Sequence, residues 1–254
     1  MKIVLLQLDI VPDDAAANIL RAQRLMDASP GADFYVLPEM WATGFCVRPD
    51  DNTRECLLLA RRWMAGQARR RDCAVAGSLA VSGDDGRWCN AFLFVRPDGS
   101  EERYCKRHLF GFGGEDRHYA AGAARTVVAF RGLRFLLQVC YDLRFPVFAR
   151  NRSDYDAILY VANWPESRIA VWDILLRARA VENQCYVFGV NRTGSAPEGN
   201  YCGHSVAIDA YGRPVAAVPD GEGVVEVEPD MERLEAFRRK FPVLADADDF
   251  ELVL

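Results

Sequence analysis

The chain opens on an unbroken apolar run, Ile3-Val4-Leu5-Leu6, and Phe34-Tyr35-Val36-Leu37 and Ala157-Ile158-Leu159-Tyr160-Val161-Ala162 repeat the form. Runs of that length, apolar at every position rather than every second one, mark strands covered on both faces. Between the first two, Ile19, Leu20 and Met26 give a helix an inner face, Asp13 or Asp14 caps it, and Ser29-Pro30-Gly31 stops it. The pattern thus predicts a strand over 2–8, a helix to residue 28 and a strand ending at Pro38-Glu39. A second helix is predicted over 54–71, with Leu58, Leu59 and Met64 inward and arginines outward. Strands follow over 73–81, 90–95 and 102–105, the first two joined across 82–86 and the third entered through the Pro97-Asp98-Gly99 turn. Strands over 126–130 and 133–139 pair about Arg131-Gly132, and 157–162 and 185–190 are strands flanking an amphipathic helix over 167–182. Segments 205–209, 214–218 and 223–227 read as a meander with turns at Tyr211-Gly212 and Asp220-Gly221. A short helix over 231–239 and a tail at about 241–254 complete the chain.

Strands interleaved with helices, without a repeat or linker, predict one α/β domain with its helices outside the sheets. The one long irregular stretch, 107–124, holds Gly111-Phe112-Gly113-Gly114-Glu115-Asp116, and a loop of that length inside a domain is usually functional. Its glycines suggest a mobile lid.

Composition removes several function classes. A net charge of −5 and a pI near 5.4 argue against a nucleic-acid or anionic-membrane surface. The apolar runs are strand-sized, so none spans a bilayer. The N-terminus enters a strand at once, without a signal-peptide pattern. The eight cysteines are scattered without CxxC pairs, which predicts reduced thiols in the cytoplasm. Three histidines without paired spacing offer no metal site.

Three polar residues each follow a predicted strand: Glu39, Lys106 and Cys140. Singly they are ordinary, a solvated carboxylate, a surface lysine and an inert core cysteine. Together, at neighbouring strand ends, they form a cleft constellation with consistent chemistry. A thiol needs a base to become the attacking thiolate, and Glu39 supplies one. Lys106 and the backbone N–H of Tyr141 suit the oxyanion that develops when the thiolate of Cys140 adds to a carbonyl.

Three segments resemble the signature blocks of the nitrilase superfamily of carbon–nitrogen hydrolases. They are Leu37-Pro38-Glu39-Met40, Tyr104-Cys105-Lys106-Arg107-His108-Leu109-Phe110 and Val139-Cys140-Tyr141-Asp142-Leu143-Arg144-Phe145-Pro146. Tyr160-Val161-Ala162-Asn163-Trp164-Pro165, Arg177-Ala178-Arg179-Ala180-Val181-Glu182-Asn183 and Asn191-Arg192-Thr193-Gly194 extend the likeness over nearly the whole chain. Segments 106–110 and 163–165 are most similar to the omega-amidases, which hydrolyse the terminal amide of 2-oxoglutaramate and 2-oxosuccinamate. The resemblance implies a four-layer α-β-β-α sandwich in one domain over 1–254, usually a homodimer through its outer helices. It implies Glu39 as general base, Lys106 as oxyanion stabiliser, Cys140 as nucleophile, and no cofactor. By position before His118-Tyr119-Ala120-Ala121-Gly122 it implies Glu115 as a second glutamate, with Asp116 a competing carboxylate.

A keto-acid amide carries a carboxylate, for which Arg144 and then Arg168 are the candidates; either could instead pair with Asp142 or Glu166. Phe45 and Trp164 are candidate walls of a small pocket, whereas Trp172, at helical spacing, is assigned to packing. The alternatives are another short amide or N-carbamoyl amine as substrate, and a binding protein that keeps the fold without turnover.

Overall fold

Two six-stranded sheets organise the chain. The computed structural model describes residues 1–83 and 86–252; Asp84 and Asp85 of the predicted 82–86 link, and Val253 and Leu254 of the predicted tail, lie outside the described residues. In chain order β1 (Ile3–Gln7), β2 (Phe34–Val36), β3 (Ala74–Ser82), β4 (Trp88–Val95) and β5 (Glu101–Cys105) enter the first sheet. The second takes β6 (Val127–Phe130), β7 (Leu133–Val139), β8 (Ala157–Ala162) and β9 (Tyr186–Asn191). A small hairpin, β10 (Thr193–Ala196) with β11 (Gly199–Cys202), stands apart, and β12 (Val206–Ile208) and β13 (Pro214–Ala217) complete the second sheet. Finally β14 (Gly223–Val227) crosses to the first sheet and pairs antiparallel with β1, Ile3 opposite Val227. The expected meander is therefore only a hairpin. Val225 and Val227 bury themselves in the layer between the sheets, which a third strand on the edge of the second sheet could not reach.

Alternation along the strands separates the layers. Ile3, Leu5, Phe34, Val36 and Phe94 meet Phe135, Leu137, Val139, Leu159 and Phe188 between the sheets. The alternate residues Val4, Leu6, Tyr35 and Val75 face outward beneath α1 (Ala15–Ala28) and α2 (Asp51–Arg71). On the second sheet Leu136, Ile158, Tyr160 and Val187 face α4 (Ile169–Glu182), which follows the one-turn α3 (Pro146–Ala149). The expected four-layer sandwich is the observed fold. Each buried Phe contributes roughly 1.5–3 kcal/mol, so stacking of the sheets outweighs any surface ion pair at about 0–1 kcal/mol. A last helix, α5 (Met231–Lys240), adds Leu234 to the intersheet layer.

Helix positions match the expectation better than helix faces. Asp14 caps α1 by accepting the Ala17 N–H, and Asp50 and Thr53 form a capping box on α2. Leu20, Leu58 and Leu59, expected inward, are exposed. On α1 the inner stripe is Ala15, Asn18, Ala22 and Met26, because the Asn18 side chain satisfies the Val11 N–H and the Val11 and Ala42 carbonyls. On α2 Leu57 and Met64 are the buried apolar pair, flanked by Cys56 and Ala60.

The expectation of uniformly reduced thiols is overturned at one pair, Cys89 and Cys105, which are disulfide-bonded. They are 16 residues apart in sequence, but the antiparallel pairing of β4 with β5 brings their Cα atoms to 5.8 Å. Among the described residues no helix is long and apolar enough to cross a membrane.

Candidate active site

Four strand ends deliver the reactive groups to one place. β2 stops before Pro38, which has no N–H for a ladder, and Glu39 follows. Met40 has φ +42°, and its N–H donates to Ser78 Oγ at 2.9 Å, which fixes the turn that aims Glu39 inward. Lys106 leaves β5 with its N–H on the Asn90 carbonyl at 2.9 Å. Cys140 is the first residue past β7 and has φ +45°, a left-handed conformation that costs a side-chain-bearing residue about 1–3 kcal/mol. Asp142 pins that turn: its Oδ2 accepts the Val139 N–H and the Tyr104 hydroxyl, both at 2.9 Å, and its Oδ1 accepts the His108 N–H at 2.9 Å. Asn163, just past β8, donates its N–H to Glu39 Oε2 at 2.8 Å and its side-chain amide to the Glu39 carbonyl at 2.8 Å.

At the centre one ammonium joins two carboxylates. Lys106 Nζ lies 2.9 Å from Glu39 Oε1 and 2.9 Å from Glu115 Oε2, and all three side chains are fully buried. Burial works against the lysine's charge, but Glu115 and Glu39 outweigh it and hold the ammonium above its ordinary pKa. Glu115 comes from the long loop, in the second of two short 3-10 turns, Gly111–Gly113 and Glu115–Arg117, and its Oε2 also accepts the Phe110 N–H at 2.6 Å. Asp116 points to solvent, so the carboxylate that meets Lys106 is Glu115. Burial first, then the Glu39 carboxylate, push the Cys140 thiol well above its ordinary pKa, and Lys106 offsets this only in part. The resting thiol is thus held in its protonated form. The arrangement suits proton transfer from sulfur to Glu39 coupled to attack of that sulfur on an acyl carbon, with a fixed cation beside the developing charge.

The space open to such an acyl group is a cavity of about 290 Å³. It brings together Glu39, Phe45, Lys106, Cys140, Tyr141, Arg144, Trp164 and Arg168, all expected there from sequence; Glu115 stands behind Lys106. The Arg144 guanidinium lies 5.2 Å over the Trp164 ring and that of Arg168 5.6 Å over Phe110. Among the described residues neither arginine pairs with Asp142 or Glu166, and the Asp142 oxygens are already taken up by Val139, Tyr104 and His108. Trp172 packs against α4 neighbours and donates Nε1–H to the His204 carbonyl at 3.0 Å, as its assignment to packing requires. Sequence reasoning missed Asn90, Phe110, Glu198 and Tyr201. Only Asn90 left a signal, as a lone amide in the otherwise apolar β4.

A family model described as carbon-nitrogen hydrolase matches residues 2–239. The chain belongs to the carbon–nitrogen hydrolases. It is an enzyme of hydrolytic type that acts on amide C–N bonds. The omega-amidase YafV of Yersinia enterocolitica is 45% identical, with 100% of this chain and 99% of that protein aligned. The 2-oxoglutaramate amidase of Bacillus subtilis is 34% identical over 95% of both chains. A carbon–nitrogen hydrolase superfamily protein of Xanthomonas campestris, XC1258, solved with an arsenic adduct in its active site, is similar with a TM-score of 0.92. It is 37% identical and covers 100% of this chain and 99% of its own. This carbon–nitrogen hydrolase thus has relatives of its own length.

Proposed function

We propose that this carbon–nitrogen hydrolase removes the terminal amide of a small omega-amide of a dicarboxylic keto acid, 2-oxoglutaramate or 2-oxosuccinamate. The single observation that carries this reading is the cavity in which Cys140 and the buried Glu39–Lys106 pair share walls with two arginines that have no carboxylate partner among the described residues. The omega-amidase and 2-oxoglutaramate amidase names of full-length relatives support it. Cys140 is the nucleophile and Glu39 the base that takes the thiol proton as sulfur bonds to the amide carbon. The oxyanion rests between the Lys106 ammonium and the Tyr141 N–H. Glu39 returns the proton to nitrogen, ammonia leaves, and a thioester remains on Cys140. Glu39 then draws a proton from water as its oxygen adds to the thioester carbon, and passes that proton to the Cys140 sulfur as the C–S bond breaks, giving the carboxylic acid and the starting thiol. Glu115 keeps Lys106 charged and aimed throughout. Arg144 and Arg168 hold the substrate carboxylate against the Phe45 and Trp164 walls.

The catalytic domain occupies 1–254 with its tail at about 241–254, consistent with a family match ending at 239. The enzyme works in the cytoplasm as a homodimer through its outer helices, a reading supported by exposed Ile174 and Val181 on α4 beside exposed Tyr211 and Val215. The test is ammonia release from 2-oxoglutaramate, glutamine, an N-carbamoyl amino acid and an aliphatic nitrile. The first is expected to dominate, and preference for any other refutes the substrate assignment. Cys140→Ala abolishes turnover, and Glu39→Gln lowers the rate by about two orders of magnitude or more.

A further inference from the structure

Behind the Glu39–Lys106–Glu115 cluster stands a fully buried residue that does not line the cavity, Asn90 of β4. Its side-chain amide donates one hydrogen to Glu39 Oε1 at 2.8 Å and the other to Glu115 Oε1 at 2.9 Å. Its Oδ1 accepts the Ser78 hydroxyl at 2.9 Å. Its backbone carbonyl accepts the Lys106 N–H at 2.9 Å. One residue therefore touches all three members of the charged cluster.

The orientation of this amide follows from its neighbours. Ser78 Oγ already accepts the Met40 N–H, so its own hydrogen is the one given to Asn90. That fixes the oxygen of the amide toward Ser78 and its nitrogen toward the carboxylates. The flipped amide would set an oxygen against two carboxylate oxygens.

We infer that Asn90 is a positioning residue for hydrolysis: its two N–H groups hold the Glu39 and Glu115 carboxyl groups together around a single ammonium. The inference rests on the proposed roles of Glu39, Lys106 and Cys140. One lysine is shared between two buried carboxyl groups, and the Asn90 amide supplies a further donor to an oxygen of each. Without the amide, Glu115 Oε1 loses the Asn90 donor, and Glu39 Oε1 keeps Lys106 alone. The pair then takes up a proton more readily, and a protonated Glu39 no longer serves as a base for the thiol proton. Lys106, Cys140 and the Tyr119 hydroxyl are the other titratable groups that act on these carboxylates.

The test compares Asn90→Ala, Asn90→Asp and Ser78→Ala with the parent enzyme, in pH profiles of kcat and KM for ammonia release. Asn90→Ala lowers kcat about tenfold or more and moves the acid limb of kcat/KM up by about one pH unit, with KM within about threefold, because Asn90 does not line the cavity. Ser78→Ala, which frees the amide to rotate and also removes the acceptor of the Met40 N–H, shifts the limb the same way. Asn90→Asp fills the same volume but replaces the donor by an acceptor, and is expected to be the slowest. An Asn90→Asp enzyme faster than Asn90→Ala shows that the residue only fills space, and overturns the inference. So does an Asn90→Ala enzyme with the parent's kcat and acid limb. If Asn90→Asp does not fold, Asn90→Ala decides by the same limb. Glu39→Gln, run beside them, separates the two claims: if it retains turnover, the assignment of the base fails whatever Asn90 does.

Discussion

Replacing Lys106 by methionine probes the charged cluster through stability, independently of turnover. The ammonium lies at 2.9 Å from an oxygen of each carboxylate, and none of the three side chains touches solvent. Methionine keeps most of the volume and removes the charge. Two carboxylates, bridged by one amide, are then left in the interior with no cation among the described residues in contact with either. Deleting one partner of a buried ion pair costs about 3–5 kcal/mol, and here one deletion strands two partners, so the upper half of that range is expected. For a chain of this size that is a fall in Tm of roughly 8–20 °C. The pH dependence has a definite sign. The stranded pair relieves itself by binding a proton in the folded state, so its pKa lies above the unfolded value. Its penalty is small below about pH 5 and grows as pH rises toward 8. The assay is urea unfolding followed by tryptophan fluorescence at pH 5 and pH 8, parent against variant. The gap widens at the higher pH, and Glu39→Gln with Glu115→Gln added to Lys106→Met restores most of the loss. A Lys106→Met protein as stable as the parent at pH 8, or a gap that does not change with pH, refutes the reasoning.

Three further outcomes follow from other parts of the site. Because burial and Glu39 hold the Cys140 thiol protonated, its alkylation by iodoacetamide is expected to accelerate through pH 9; a plateau below pH 8 would contradict a raised thiol pKa. Arg144→Leu or Arg168→Leu raises KM for 2-oxoglutaramate about tenfold or more, as loss of a charge-assisted hydrogen bond requires, and leaves a neutral short amide unaffected. Equal loss on both substrates would point to collapse of the Trp164 and Phe110 walls instead. A Cβ on Gly122 would lie 2.1 Å from the Cys105 carbonyl oxygen, a backbone atom that cannot swing aside, so Gly122→Ala displaces the strand end that carries Lys106. It is expected to cost about 1–3 kcal/mol and most of the activity, measured by thermal unfolding and initial rates.

Much of this protein is legible in one dimension because its strands are covered on both faces. Runs such as 157–162 are apolar at every position, and only a strand buried between a helix layer and a second sheet uses such a run. The abrupt change from Val139 to Asp142 marks a strand end, and Glu39 and Lys106 stand at two more, so the residue order brings the three proposed catalytic residues forward, and the likeness to the family's signature blocks gives them their expected roles. What one dimension does not contain is partnership across the chain. The choice of Glu115 over Asp116 depends on which neighbour turns inward to reach Lys106. The departure of β14 to the first sheet depends on space between the sheets for Val225 and Val227. Cys89 and Cys105 become a disulfide only through strand pairing. Asn90 has no meaning as one amide in an apolar strand until Glu39, Glu115 and Ser78 arrive from elsewhere. Periodicity reports which face of an element is dry, and the sequence determined that much, with the residue types that do the chemistry. Which polar atoms answer one another inside is set by packing between segments far apart in the chain, and the tertiary structure alone decided it.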